Sequence, residues 1–187
     1  MVMADYLTNH LLIAMPTLAD PNFSQTVTYI CEHNDDGALG IVINRPMDMR
    51  VREILAHLEI DPTQADAADQ PVYAGGPVQR ERGFVLHDPL GHWEATLPVT
   101  DSIGLTASRD ILAAIARGEG PPQHRIALGY AGWGAGQLEH EIVDNAWLSG
   151  PANARILFET PAEQCWQAAA GLLGVDLNLI SNQAGHS

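Results

Sequence analysis

Seven short stretches of this chain are apolar, or alternate apolar with polar, and each is bounded by Gly, Pro, Asn or Asp: residues 11–15, 27–31, 39–43, 84–86, 103–106, 126–130 and 156–158. Side chains of a strand alternate between its two faces, so this pattern predicts β-strands. Between the second and third stretches, Asn34-Asp35-Asp36-Gly37 is a turn signal that predicts a hairpin. Other segments repeat every three or four residues, as one face of a helix does. Val51, Ile54, Leu55 and Leu58 form one such stripe, and Ile111, Leu112 and Ile115 form another that stops at Gly118. Thr160-Pro161-Ala162-Glu163 reads as a capping box with Pro at the first helical position, opening a helix that runs to about Leu173.

Strands follow one another directly at the start of the chain, which argues against strict βαβ alternation. The expected class is therefore α+β with a mixed sheet and flanking helices. With 187 residues and 46% hydrophobic content, the chain can bury roughly 70% of the surface its unfolded form exposes, so residues 1–187 are expected to form a single domain. Residues 61–70, rich in Asp and Ala, read as a variable surface connection, and no internal repeat is visible.

Charge narrows the partners. Twenty-three carboxylates face nine basic residues, all arginine, for a net charge of −14. Such a surface repels nucleic acid and anionic membrane at long range, so either partner would need a segregated basic patch. Arg45, Arg50 and Arg52, with Arg80 and Arg82, are the candidates, but Asp48 and Glu53 reduce residues 45–53 to a net +1. Residues 52–68 could form a helix, turn and helix starting again at Asp61-Pro62, yet the second segment and its end carry Asp66 and Asp69 without a basic residue. As a recognition helix it would press carboxylates onto phosphates. Direct nucleic-acid binding is thus not expected.

Cys31 and Cys165 are too few for a disulfide framework and read as buried, reduced core residues. Residues 1–10 lack a basic region followed by a long apolar stretch, and nowhere do 18 apolar residues run together. The protein is expected to be cytoplasmic, with no membrane partner.

The densest set of unusual residues is 129–142, Gly-Tyr-Ala-Gly-Trp-Gly-Ala-Gly-Gln-Leu-Glu-His-Glu-Ile, where a strand gives way to a helical pattern. Gly132, Gly134 and Gly136 suggest an anion cradle, but Glu139 occupies the place of the dinucleotide fingerprint's third glycine, and a phosphate loop's Lys is missing. Glu139 and Glu141 would also repel a phosphate at the opening turn. His33 with Asp35 and Asp36, His87 with Asp88 and His92, and Glu139-His140-Glu141 are metal-ligand types without metal-site spacing, so neither a metal nor a cofactor is expected. Ser24, Ser108 and Ser149 lack a nucleophile elbow, and no catalytic residue is assigned. The enzyme alternative is a hydrolase-like activity in which His33 or His87 works with Glu139 or Glu141 as acid and base.

Several blocks together resemble the AlgH/YqgE family of small bacterial proteins, over nearly the whole chain. They are Leu11-Leu12-Ile13-Ala14-Met15-Pro16, Asp20-Pro21-Asn22-Phe23 leading to Glu32-His33, Gly40-Ile41-Val42-Ile43-Asn44-Arg45-Pro46, Gly75-Gly76-Pro77-Val78, Val85-Leu86-His87, Gly129-Tyr130-Ala131-Gly132-Trp133 with Gly136-Gln137-Leu138-Glu139, and Trp147-Leu148. Each is weak alone, and their order is specific. The resemblance implies a single α+β domain with a curled, mixed sheet. It implies little about activity: the family's biochemical activity is unassigned, and one member's link to alginate production gave it the description of a transcriptional regulator.

A regulatory or binding protein is therefore expected, acting through a protein or small-molecule ligand. Asn44, Arg45, Gly75, Gly76, His87, Gly132 and Trp133 all fall at or near the ends of apolar runs, where exposed loop residues gather, and are the candidate ligand-binding cleft. Trp133 is expected to pack one ring face on Leu138 and Ile142 and to border that cleft with its edge. The competing reading makes the same residues scaffold, with glycines setting turns, Asn44 tying a loop to backbone and Trp133 filling the core.

Overall fold

The computed structural model describes residues 6–63 and 65–177. The class is α+β with a mixed sheet, as the periodicities predict. Its contacts gather into two compact units, Met1–Asn44 with Ala131–Ser187 (unit 1) and Arg45–Tyr130 (unit 2). Composition suggests one core; each unit holds a hydrophobic cluster of its own.

In unit 1, strands β1 (His10–Ala14), β2 (Val27–Asn34) and β3 (Gly37–Val42) form an antiparallel meander. The predicted hairpin is present: Asn34 pairs with Gly37 across a two-residue turn. A Cβ on Gly37 would stand 2.1 Å from the Trp133 carbonyl oxygen, so the close strand approach there requires glycine. Leu12, Ala14 and Ile30 join Trp133, Leu138 and Trp147 in the core cluster, so Leu11 and Ile13, also buried, turn to the opposite face. A strand buried on both faces reads as an unbroken apolar run, which is how 11–15 appears in the sequence.

Unit 2 contains β4 (Pro46–Arg50), helix α1 (Val51–His57), the single turn α2 (Ala65–Ala68), β5 (Pro71–Ala74), β6 (Val78–Asp88), β7 (Thr96–Pro98), β8 (Gly104–Thr106) and α3 (Arg109–Ala116). Strand β9 (Gln123–Gly134) lends its first eight residues to this unit and its last four to unit 1. The strand order is β4-β5-β9-β6-β8-β7, with β5 and β9 parallel and the other pairs antiparallel. Val51 and Leu55 of α1 and Ile111, Leu112 and Ile115 of α3 pack on Val72, Val85 and Ile126 of the sheet. Full burial of each such aliphatic side chain contributes roughly 1.5–3 kcal/mol before chain entropy is counted.

Unit 1 is completed by α4 (Gln137–Val143), β10 (Trp147–Pro151) and α5 (Ala162–Leu172), giving the antiparallel order β10-β1-β2-β3-β9. α5 packs against β1 and β2, and Trp166 donates its indole N–H to the Ala14 carbonyl at 2.8 Å.

Two local predictions are corrected. Residues 156–158 belong to a π-helical turn, Arg155–Glu159, instead of a strand. Asn153 starts it by accepting the Ile156 N–H at 2.9 Å, and a three-residue apolar run carries no period that could distinguish the two forms. Thr160 does not cap α5 either. Its hydroxyl donates to the Arg155 carbonyl at 2.9 Å, closing the π turn, and Pro161 occupies the N-cap position. The reach of Glu53 back to the Arg50 N–H at 2.7 Å instead tightens the start of α1.

Candidate functional site

Unit 1 uses the chemistry of the glycine-rich motif internally. Trp133 points into the core, 6% exposed, stacked on Phe23 (centroids 6.1 Å apart) and edge-on to Trp147 (6.2 Å). Leu138 and Ile142 belong to the same cluster, while the indole N–H edge meets a carboxylate. Trp133 and Trp147 both donate to Oε1 of Glu141, at 3.0 and 2.9 Å, and Gln137 donates to its Oε2 at 2.9 Å. The Gln137 carbonyl oxygen then accepts the Gly134 N–H at 3.0 Å. One carboxylate thus satisfies two buried indoles, and a backbone donor that an anion cradle would need is already taken. Gly132 is exposed in β9 opposite Leu39.

His33 and Glu139 do meet. The His33 ring accepts the Leu7 N–H at Nδ1 (2.9 Å), which leaves Nε2–H to donate to Glu139 Oε1 at 2.9 Å. This bond holds the Glu139 carboxyl below the usual carboxylate range, against a smaller opposing effect of burial. The His33 side chain is buried, with the Tyr6 ring edge-on at 5.2 Å. With both ring nitrogens engaged, the imidazole has no lone pair to offer a substrate. Asn44 ties down the turn before β2, accepting the Val27 N–H at 2.9 Å and donating to the Gln25 carbonyl at 3.0 Å.

The other candidates lie in unit 2. Arg45 accepts the Ala74 N–H on its carbonyl at 2.8 Å. A Cβ on Gly75 would stand 2.4 Å from the Gly129 carbonyl oxygen, and one on Gly129, at φ +78°, would stand 2.5 Å from the Gly76 carbonyl oxygen. These glycines allow two backbones to pack directly. His87 is fully buried. Its Nδ1–H donates to the Pro89 carbonyl at 3.0 Å, and Nε2 accepts the Thr106 hydroxyl at 2.7 Å. Burial lowers its pKa, outweighing the Pro89 bond, which favours the neutral ring. His87 pairs with His124 of β9 whereas Gly75 contacts Gly129, five residues along the strand, so the two are roughly 15 Å apart and not gathered into one site.

Open space in unit 2 lies elsewhere. A groove of about 480 Å³ has Met49, Ile54, Leu58, Leu112 and Leu128 as its apolar lining, and Glu53, His57, Glu81, Arg82, Ser108 and Arg109 among its polar groups. Its volume lies in the range of small-molecule sites. At its edge Ser108 accepts the Ala95 N–H at 3.1 Å and donates to Asp110 at 2.5 Å. Burial pushes the Asp110 carboxyl up, but this bond and those from the Glu94 and Ile111 N–H groups hold it below the usual range.

Sequence reasoning missed this groove. Its one legible trace is that the α1 stripe is wider than the core requires: Val51 and Leu55 are fully buried, while Ile54 and Leu58 are only partly so. α2 is a single turn bearing Asp66, and Arg52 ion-pairs with Asp69. Among the described residues no group of three or more His, Cys, Asp or Glu could hold a metal ion, and no helix is long and apolar enough to cross a membrane. Cys31 and Cys165 are both buried thiols, and burial pushes the Cys31 thiol far up.

The family model described as AlgH-like matches residues 11–178. The chain belongs to the AlgH-like family. It is 58% identical over 187 residues to a UPF0301 protein of Thioalkalivibrio sulfidiphilus, covering 100% of both chains, and 57% identical over 182 residues to one of Nitrosococcus oceani, covering 97% of each. The solution structure of AlgH from Pseudomonas aeruginosa is similar with a TM-score of 0.80 and 49% identity, covering 100% of this chain and 99% of that one. A Corynebacterium diphtheriae protein, DIP2367, shares the fold at TM-score 0.72 and 19% identity, over 97% and 94% of the two chains. The relatives carry a family name and no reaction.

Proposed function

We propose that this AlgH-like protein is a cytoplasmic binding protein that regulates through a small ligand or a protein, and that the groove of unit 2 is where it binds. The observation that carries this reading is how its polar groups are used. The imidazoles best placed for catalysis, His33 and His87, have both ring nitrogens occupied by internal partners, and Glu141 is held by two indoles and an amide. The groove in contrast offers apolar surface, which binds by desolvation without reacting. Two buried thiols suit a reducing compartment. A net charge of −14 and a one-turn acidic α2 favour regulation without direct operator contact.

Methyl-labelled protein titrated with a panel of small apolar and amphipathic fragments tests the reading by NMR. Shifts should concentrate on Met49, Ile54, Leu58, Leu112 and Leu128. Hydrolysis of ester or amide substrates that disappears in a His33→Asn variant would overturn it. So would a saturable, sequence-discriminating mobility shift with DNA at about 0.15 M salt, where non-specific binding is typically ~10⁻⁴ to 10⁻⁶ M.

A further inference from the structure

The fully buried imidazole of His87 joins three segments of unit 2 through a hydrogen-bond chain that runs in one direction. Because Nδ1–H donates to the Pro89 carbonyl, Nε2 of the neutral ring is an acceptor, and the Thr106 hydroxyl must be its donor. The Thr106 oxygen then accepts from the Thr96 hydroxyl at 2.8 Å, so the chain runs from Thr96 through Thr106 and His87 to Pro89. Thr106 is fully buried and Thr96 partly so. The ring also fills the place of a side chain on β8: a Cβ built on Gly104 would stand 3.0 Å from its Cε1. Neutral His87 thus clamps β7 and β8 onto β6.

Protonation reverses this chain. Nε2 becomes a donor, the Thr106 hydroxyl must turn to Thr96, and the Thr96 hydroxyl must find an acceptor outside the chain. Among the described residues, two charged or titratable groups act on the ring: His124, its cross-strand partner on β9, opposes a positive charge, and Asp88, its neighbour on β6, favours one with no larger effect. β8, β7 and the turn after β6 bring Gly104, Thr106, Thr96 and the Pro89 carbonyl, none of them ionisable. Burial outweighs the rest, so a charged ring needs water, and water reaches it when β8 moves away. β7 and β8 are three residues each at the edge of the sheet, the part most readily released.

That release bears on the groove. β8 runs through Ala107 and Ser108 into α3, and these residues, with Arg109 and Leu112, line the groove together with Gly83 and Leu128 of the sheet. The Ala107 N–H donates to the Ala95 carbonyl at 3.0 Å, the Ala95 N–H to Ser108 at 3.1 Å, and the Glu94 N–H to Asp110 at 2.9 Å. The segment leading into β7 is therefore laced to the start of α3, and a hairpin leaving β6 pulls on the groove's wall.

Resting on the reading of the groove as the binding site, we propose that His87 is a proton-operated latch: neutral, it clamps the β7–β8 hairpin; protonated, it releases that hairpin with the 107–109 wall, so the groove gives up an apolar ligand in mild acid. The released ring takes up its proton near the ordinary value of about 6.5 while the clamped ring does not, so the latch holds above that pH and loosens as pH falls below it.

Amide hydrogen exchange at about pH 7.5 and about pH 5.5, each corrected for the intrinsic pH dependence of exchange, reads the latch. Ala95, Val99 and Ala107 should lose protection at least tenfold in acid, while Ala74 and Gly75, bonded to Arg45 and Leu128, keep theirs. His87→Gln, which cannot become charged, should remove the step, and His124→Gln should retain it. Thr106→Val keeps a titrating ring and removes the donor that clamps it, so its step should begin at higher pH; this variant decides the matter if His87→Gln does not fold. Octanol, uncharged at both pH values, should shift the Leu112 and Leu128 methyls and bind at least fivefold more weakly in acid to the wild type, but not to His87→Gln. Equal loss of protection at Ala74 and Gly75, a step that survives His87→Gln, or a step lost in His124→Gln overturns the latch. Octanol binding that ignores pH while the exchange step is present overturns the coupling to the groove. If octanol binds at neither pH, the groove reading falls, and the exchange step alone decides the latch.

Discussion

The two units use their polar residues in opposite ways. Unit 1 carries one arginine against eleven carboxylates, and its distinctive side chains are tied to one another: Glu141 to two indoles, His33 to Glu139 and Leu7. Unit 2 carries eight arginines against twelve carboxylates, and it leaves an apolar groove open. A conspicuous sequence motif therefore need not mark a site. A buried polar group must find a partner, so tryptophans placed in a core demand acceptors and produce conspicuous sequence for structural reasons.

The largest expected effect tests the closed network of unit 1. Trp133→Ala should cost about 3–5 kcal/mol in chemical denaturation, the usual range for emptying a buried aromatic site. A loss below about 1 kcal/mol would return Trp133 to the candidate ligand-binding residues. Glu141→Leu should follow at about 2–4 kcal/mol, because two indole N–H groups lose their acceptor beside a half-buried position, each in the lower part of the range of about 1–3 kcal/mol. Glu141→Gln, which keeps one acceptor oxygen, should cost clearly less.

Within unit 2, two alanine substitutions sharpen the contrast between scaffold and opening. Gly75→Ala places a methyl 2.4 Å from the Gly129 carbonyl oxygen and should cost about 1–3 kcal/mol, as overpacking does. Gly83→Ala points into open space and should change stability by no more than about 0.5 kcal/mol. Equal costs at the two positions would mean that Gly83 is packed in solution and the groove is not open.

The smallest expected effect is a difference in acid sensitivity. In unit 2, burial lowers the pKa values of His87 and His124. The unfolded chain takes up those protons near the ordinary value of about 6.5 while the folded one does not, so their contribution is present above that pH and lost as pH falls from there toward the folded values. His124 and Asp88 face His87 and act in opposite directions, lowering and raising it. In unit 1, the His33 bond holds Glu139 low, so its contribution is present above the ordinary glutamate value of about 4.3 and is lost as pH falls from there through the folded value. Denaturant midpoints between pH 7 and pH 5 should fall, and His87→Leu should flatten that fall. An unchanged slope would remove His87 as a cause.

Much of the fold is legible because it depends on neighbours in sequence. The 34–37 hairpin, the apolar run of β1 and the stripes of α1 and α3 each follow from local periodicity and turn chemistry. The failures occur where distant residues decide. β4 and β5 are short, their pairing partners lie far along the chain, and β4 alternates only Met47 and Met49 with polar positions. Of the proposed cleft, the residue types were legible and their roles were not. Asn44, Gly75 and His87 were singled out, and each meets its partners through contacts that no local pattern records.

Sequence alone determined the α+β class, the family and the acidic net charge, since these rest on composition, period and motif order. Only the tertiary structure decided which polar groups are consumed and which stay open. Glu141 as shared acceptor, His33 with both nitrogens occupied and the space beside Gly83 all depend on residues brought together from separate elements. Hydrogen-bond satisfaction and vacant volume are properties of packing in three dimensions, where one residue's availability is set by whatever the chain folds against it.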